Sequence, residues 1–127
     1  MPGVKIRTNL KDDNLSEDFE EKIVQKISET FEAPSELVYL AVSTGNRMVN
    51  NGNKSPMMFI DVTYIRRSTE NPNEHYTKEL IPFFANLLNL SDTRIVIRYH
   101  EANIYDFGMV RKAPEFKHAE YYCGLKP

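Results

Sequence analysis

Two strand–helix–strand patterns follow one another along this chain, and that repetition constrains the fold more than any other feature. The β-branched run from Val4 to Leu10 predicts a strand. Ser16 then reads as an N-cap, with Glu17, Asp18, Glu20 and Glu21 suited to the positive end of a helix. Phe19, Ile23, Val24, Ile27 and Phe31 fall on one face of that helix, and Pro34 ends it because the residue before a proline avoids helical geometry. Leu37 to Ser43 predicts the next strand. A polar Asn- and Gly-rich stretch, Thr44 to Ser55, predicts a loop with a short extended piece at Arg47–Val49. The second unit opens with a strand over Met57 to Arg66. Asn71 caps its helix with Pro72 in the first position, and Tyr76, Leu80, Phe83, Phe84, Leu87 and Leu88 form the apolar face. Pro82 lies inside this helix, removes a bond to the Lys78 carbonyl and predicts a kink. Arg94 to Glu101 predicts the last strand, with Ile95, Ile97 and Tyr99 on one face.

Two such units with right-handed crossovers predict an α/β fold, a four-stranded mixed sheet with two helices on one face. The strand from Met57 is apolar on both sides, with Met58, Ile60 and Val62 on one and Met57, Phe59 and Ile65 on the other. A strand of that kind is usually buried twice, so the second sheet face is expected to pack against other copies of the chain. The 127 residues suit one domain over 1–127, with 110–127 as a divergent C-terminal tail. A formal net charge of -2, with 27% charged residues, gives no reason to expect nucleic acid or an acidic membrane as partner. No apolar run approaches the length of a membrane span, and the polar, strand-like first residues do not read as a signal peptide. The single cysteine, Cys123, rules out an internal disulfide. The expectation is a soluble protein made in a reducing compartment, with export by a route that needs no signal peptide left open.

The start of the chain, Met1-Pro2-Gly3, carries the candidate chemistry. Trimming of Met1 leaves a secondary amine on Pro2 at the head of a strand. An α-amino group ordinarily titrates at about 7.7–8.0, and an apolar pocket lowers that value by disfavouring the charged form. Such an amine can take a proton from carbon beside a carbonyl near neutral pH. The plainer reading is a rigid strand leader.

Met1-Pro2, Thr8-Asn9-Leu10, Pro34 after the first helix and Met48 before Gly52 form an ordered set. Ser55-Pro56 before the third strand, Ile65 at its end and the run Ser91 to Tyr99 (SDTRIVIRY) extend it. From Pro2 to about Gly108 the chain resembles the macrophage migration inhibitory factor family, and the Arg-Ile-Val-Ile-Arg run is similar to its D-dopachrome tautomerase branch. The resemblance implies a homotrimer whose sheets wrap a central channel, with three pockets at subunit boundaries, each holding an N-terminal proline. It implies keto–enol tautomerisation of small aromatic keto acids and isomerisation of dopachromes without a cofactor. It also implies a cytokine role outside cells, reached without a signal peptide, and engagement of a cell-surface receptor. On this reading Pro2 is the catalytic base, Ile65 and Phe107 are apolar walls, and Arg98 is an anion contact.

Several positions depart from the family pattern. The family has a pocket lysine just before the proline that ends the first helix, and Ala33 stands there. Loss of one charge-assisted contact to a developing oxyanion costs about 10²–10³ in rate. A tyrosine and an asparagine frequent on the last strand are replaced by Val96 and Arg98, the residue after Pro2 is Gly3, and Arg66 replaces a glycine after Ile65. Gly108-Met109-Val110 stands in place of a Gly-Asn-Gly-type turn. Two readings follow. Either the cationic role has moved to Arg98 or Arg66, or the site is degraded and the fold serves as a signalling surface. Arg98 reads equally as an intersubunit ion pair, and Arg66 as a solvated strand end. A third reading is an intracellular binding protein without receptor activity. Met57 and Ile60 occupy the positions of a Cys-x-x-Cys pair, which argues against thiol–disulfide exchange. His75, His100 and His118 lack metal-ligand spacing, and no Gly-rich phosphate loop is present. Tyr121-Tyr122-Cys123 reads as a packed or disordered end.

Overall fold

The computed structural model describes residues 2–109. The expectations for Met1 and for the tail, including His118 and Tyr121 to Cys123, lie outside the described residues. The strands are β1 (Gly3–Thr8), β2 (Tyr39–Ser43), β3 (Met58–Ile65) and β4 (Ile95–Ala102), and the helices are α1 (Phe19–Phe31) and α2 (Asn73–Leu88). The sheet order is β2-β1-β3-β4. Each outer pair is parallel, joined through its own helix, and the central β1–β3 pair is antiparallel. Parallel neighbours need a long crossover, and α1 and α2 supply it. The α/β arrangement expected from the repeated pattern is therefore present.

One sheet face meets both helices. Val4 and Ile6 of β1 and Met58, Ile60, Val62 and Tyr64 of β3 pack against Phe19, Ile23, Ile27 and Phe31 of α1 and Leu80 and Phe84 of α2. The α1 set recurs every four residues, which stacks it on one side of the helix. Each such side chain stabilises the fold by about 1.5–3 kcal/mol when fully buried. Val24, expected in the same set, is half-buried.

The element ends shift for local reasons. Asp18, not Ser16, directly precedes α1, and the Ser16 carbonyl accepts the Phe19 N–H at 3.2 Å. α1 ends at Glu32, which is left-handed at φ 51°, before Pro34 is reached. Pro72 takes the position before α2, and the Asn71 Oδ1 accepts the Asn73 N–H at 2.9 Å. α2 runs unbroken through Pro82. The extended piece expected at Arg47–Val49 is absent, and the loop instead holds one isolated bridge between Asn50 and Asn53.

The uncovered face differs from expectation. Phe59 and Ile65 are half-buried there, but Asp61 and Thr63 alternate with them, so β3 is apolar on its helix side and mixed on the other. The register sets Asp61 between Lys5 of β1 and Arg98 of β4. Tyr39 and Val96 remain exposed on this face at 64% and 44%.

Candidate active site around Pro2

Strand alternation turns Pro2 to the same side as Val4 and Ile6, and it is buried. Its carbonyl accepts the Tyr39 N–H at 3.1 Å, which anchors the head of β1 to β2. Pro2 opens onto a cavity of about 550 Å³ between the ends of α1, β3 and the start of α2. That volume falls in the range of small-molecule sites. Its inner wall is built from Pro2, Phe31 and Tyr64, all buried, with Ile65 and Tyr76 half-buried beside them. Charged residues, among them Glu29, Glu32, Glu70 and Arg67, are exposed at the rim together with His75.

The aromatic wall is continuous. The Phe31 and Tyr76 rings lie 4.1 Å apart between centroids, and Tyr64 meets Tyr76 edge-on at 5.5 Å. Such pairs add about 0.5–1.5 kcal/mol each beyond area burial. The Tyr64 hydroxyl donates to Asn73 Oδ1 at 2.7 Å, which ties β3 to the first turn of α2. Burial pushes the Tyr64 phenol above its ordinary value. The charge of Glu101 adds to that shift and the Arg66 guanidinium opposes it. Burial likewise raises Tyr76, reinforced by Tyr64 and countered by Arg67. Both phenols are therefore neutral at physiological pH, able to donate hydrogen bonds and unsuited to serve as bases.

Cationic groups enter the cavity from outside the position of Ala33, itself 5% exposed. Arg66 Nη2 pairs with Glu101 at 2.7 Å. Arg67 Nη2 donates to the Phe31 carbonyl at 2.6 Å, at the end of a helix whose last turn has no basic residue of its own. A cation at this terminus also interacts favourably with the helix dipole. Lys26 reaches across to Glu79 of α2 at 3.1 Å.

Of the residues singled out from the sequence, Pro2 and Ile65 meet at this cavity, whereas the single chain does not bring Arg98 or Phe107 to it. Arg98 lies on the uncovered sheet face, where its Nε donates to Asp61 Oδ1 at 2.8 Å and its guanidinium sits 5.2 Å from the Phe59 ring centroid. Asp61 also receives Arg7 Nη1 at 3.0 Å and meets His100 Nε2 at 2.6 Å. The pairing read for Arg98 between subunits is thus met within one chain. Phe107 is half-buried after a one-turn 3-10 segment, Ile104–Asp106. Arg66 is not a solvated strand end, since it pairs with Glu101 and lines the cavity. Sequence reasoning missed Arg67, Tyr64 and Tyr76 as site residues. The signal available for Arg67 was the acidic, uncapped end of α1, with Glu29 and Glu32 and no lysine or arginine.

Comparisons with known proteins converge. The profile of the macrophage migration inhibitory factor (MIF) family matches residues 1–111. A MIF-like protein, mif-2, from Caenorhabditis elegans is 25% identical over 101 residues, covering 80% of this chain and 84% of that protein. D-dopachrome decarboxylase-B from Xenopus laevis is 28% identical over 100 residues, covering 78% and 85%. Among solved structures, the macrophage migration inhibitory factor of Oncomelania hupensis superposes with a TM-score of 0.77 at 21% identity, covering 86% of this chain and 78% of that one. That of Trichinella spiralis gives 0.74 at 19%, covering 84% and 95%. These structural likenesses establish a shared fold.

Proposed function

Because this chain belongs to the macrophage migration inhibitory factor family, we propose that it is a MIF-like immune modulator acting outside cells, with a weak keto–enol tautomerase site built on Pro2. The observation that carries the reading is Pro2 itself, buried at the head of β1 and facing an aromatic-walled cavity of about 550 Å³. With Met1 removed, the Pro2 amine takes a proton from the carbon beside the ketone of an aromatic α-keto acid. The C–H electron pair becomes the enol double bond, and the ketone oxygen accepts a proton. The steps reverse for ketonisation. Ile65 borders the same cavity, and no cofactor is required for a proton shift of this kind. The low turnover follows from Ala33, which leaves the end of α1 without an ammonium group. In a homotrimer, Arg98 and Phe107 would complete the site from positions that one chain leaves remote.

A phenylpyruvate assay between pH 6 and 8 tests this reading. Substituting Pro2→Gly is expected to lower the rate by about 10²–10⁴, the contribution of a positioned general base. Equal rates in the two proteins would remove the proton-transfer role of Pro2. D-dopachrome, the compound in the name of the frog relative, is the second substrate to assay. The signalling part is tested separately by measuring binding of the purified protein to a cell-surface receptor.

A further inference from the structure

Among the described residues, the buried side-chain polar atoms without a hydrogen-bond partner are Arg66 Nε and Thr30 Oγ1. Both residues line the Pro2 cavity. Buried polar groups are almost always paired, so two orphans at one cavity mark a place where a ligand supplies the missing contacts. The surrounding charges favour an anion. Arg66 is half-buried, and its Nη2 is held by Glu101, which fixes the guanidinium while Nε remains unsatisfied. Lys26, the other half-buried cation of the cavity, is neutralised by Glu79. The glutamates that line the cavity are all exposed, and Glu29 already accepts a bond from Gln25.

We propose that Arg66 and Thr30 form the anion-recognition point of this cavity, which thereby selects flat aromatic compounds by their carboxylate. The ring lies against Phe31, Tyr64 and Tyr76, one carboxylate oxygen accepts from Arg66 Nε, and the other accepts from the Thr30 hydroxyl. Charge-assisted bonds of this type are the strong ones, and arginine suits them because its charge persists at all working pH values. The inference rests on the reading of the Pro2 cavity as a ligand site, and it names the residues that set its charge preference.

Calorimetric titration with cinnamate and with methyl cinnamate tests it, since the two differ by one charge. The protein is expected to prefer cinnamate by about tenfold or more, as a hydrogen bond to a charged group provides. Arg66→Gln is expected to abolish that preference while leaving methyl cinnamate affinity unchanged, and Arg66→Lys to retain part of it. Thr30→Val is expected to weaken cinnamate selectively. A preference that survives Arg66→Gln, or an equal loss of both ligands with the fold intact, overturns the assignment. So does equal binding of acid and ester by the unsubstituted protein, an outcome that leaves the cavity reading standing. Binding of neither compound removes the cavity reading as well.

Discussion

Asp61 joins the chemistry of the uncovered sheet face in one carboxylate. Burial alone would push its carboxyl upward, but hydrogen bonds from His100, Arg98 and Arg7 together hold it below the ordinary value. A carboxylate whose folded pKa is depressed contributes stability above its unfolded pKa of about 3.9, and loses it as pH falls through the folded value. Asp61→Asn is therefore expected to cost about 2 kcal/mol at neutral pH, the range for hydrogen bonds to charged groups. The cost stays moderate because Arg7, Arg98 and His100 are 49%, 59% and 43% exposed and can be hydrated once unpaired. Urea denaturation across pH checks this, with the difference between the two proteins shrinking below about pH 4. A constant difference down to pH 2 contradicts it. The sequence made Pro2 and Ile65 legible because each sits at a strand end that can be read locally. Asp61 was not, because its partners come from β1 and β4 and depend on sheet register. Arg98 illustrates the same limit: its strand was evident, but the partner that holds it becomes visible only when β3 and β4 are aligned.

At the level of elements, the two helices and four strands were legible because their apolar periods differ, four residues along α1 and alternation along β1. The long loop before β3 was not, since its order comes from a distant side chain. Arg94 Nη1 donates to the Asn50 carbonyl at 2.7 Å and Nη2 to the Ser55 carbonyl at 2.8 Å. Asn9 reaches the same loop, donating to the Lys54 carbonyl at 2.9 Å and accepting the Met57 N–H at 3.0 Å. Arg94→Ala is expected to cost about 2 kcal/mol. Hydrogen exchange should show lost protection at 50–57, with the α1 amides unaffected. Pro82 gives the opposite sign. It occupies an exposed position inside α2, so Pro82→Ala restores a backbone donor and a better helix former. The melting temperature is expected to rise, consistent with a gain of about 1–3 kcal/mol. An unchanged or lower value would show that the helix is already fitted to the ring.

For the whole molecule, the helices cover one side of the sheet and leave Tyr39, Val96 and the Asp61 cluster on the other. The homotrimer proposed from family membership would place this face against neighbouring copies, and sedimentation equilibrium at micromolar concentration is expected to return three times the chain mass of 14.8 kDa. A monomer would remove the route by which Arg98 and Phe107 reach the cavity of Pro2. The fold itself does not decide the chemistry, because the same buried proline is a base when its nitrogen is an amine and inert when it is an amide. Mass spectrometry of the N-terminal peptide from natively expressed protein reads that difference directly. The account predicts a peptide that begins at Pro2, whereas a peptide that uniformly retains Met1 would contradict it.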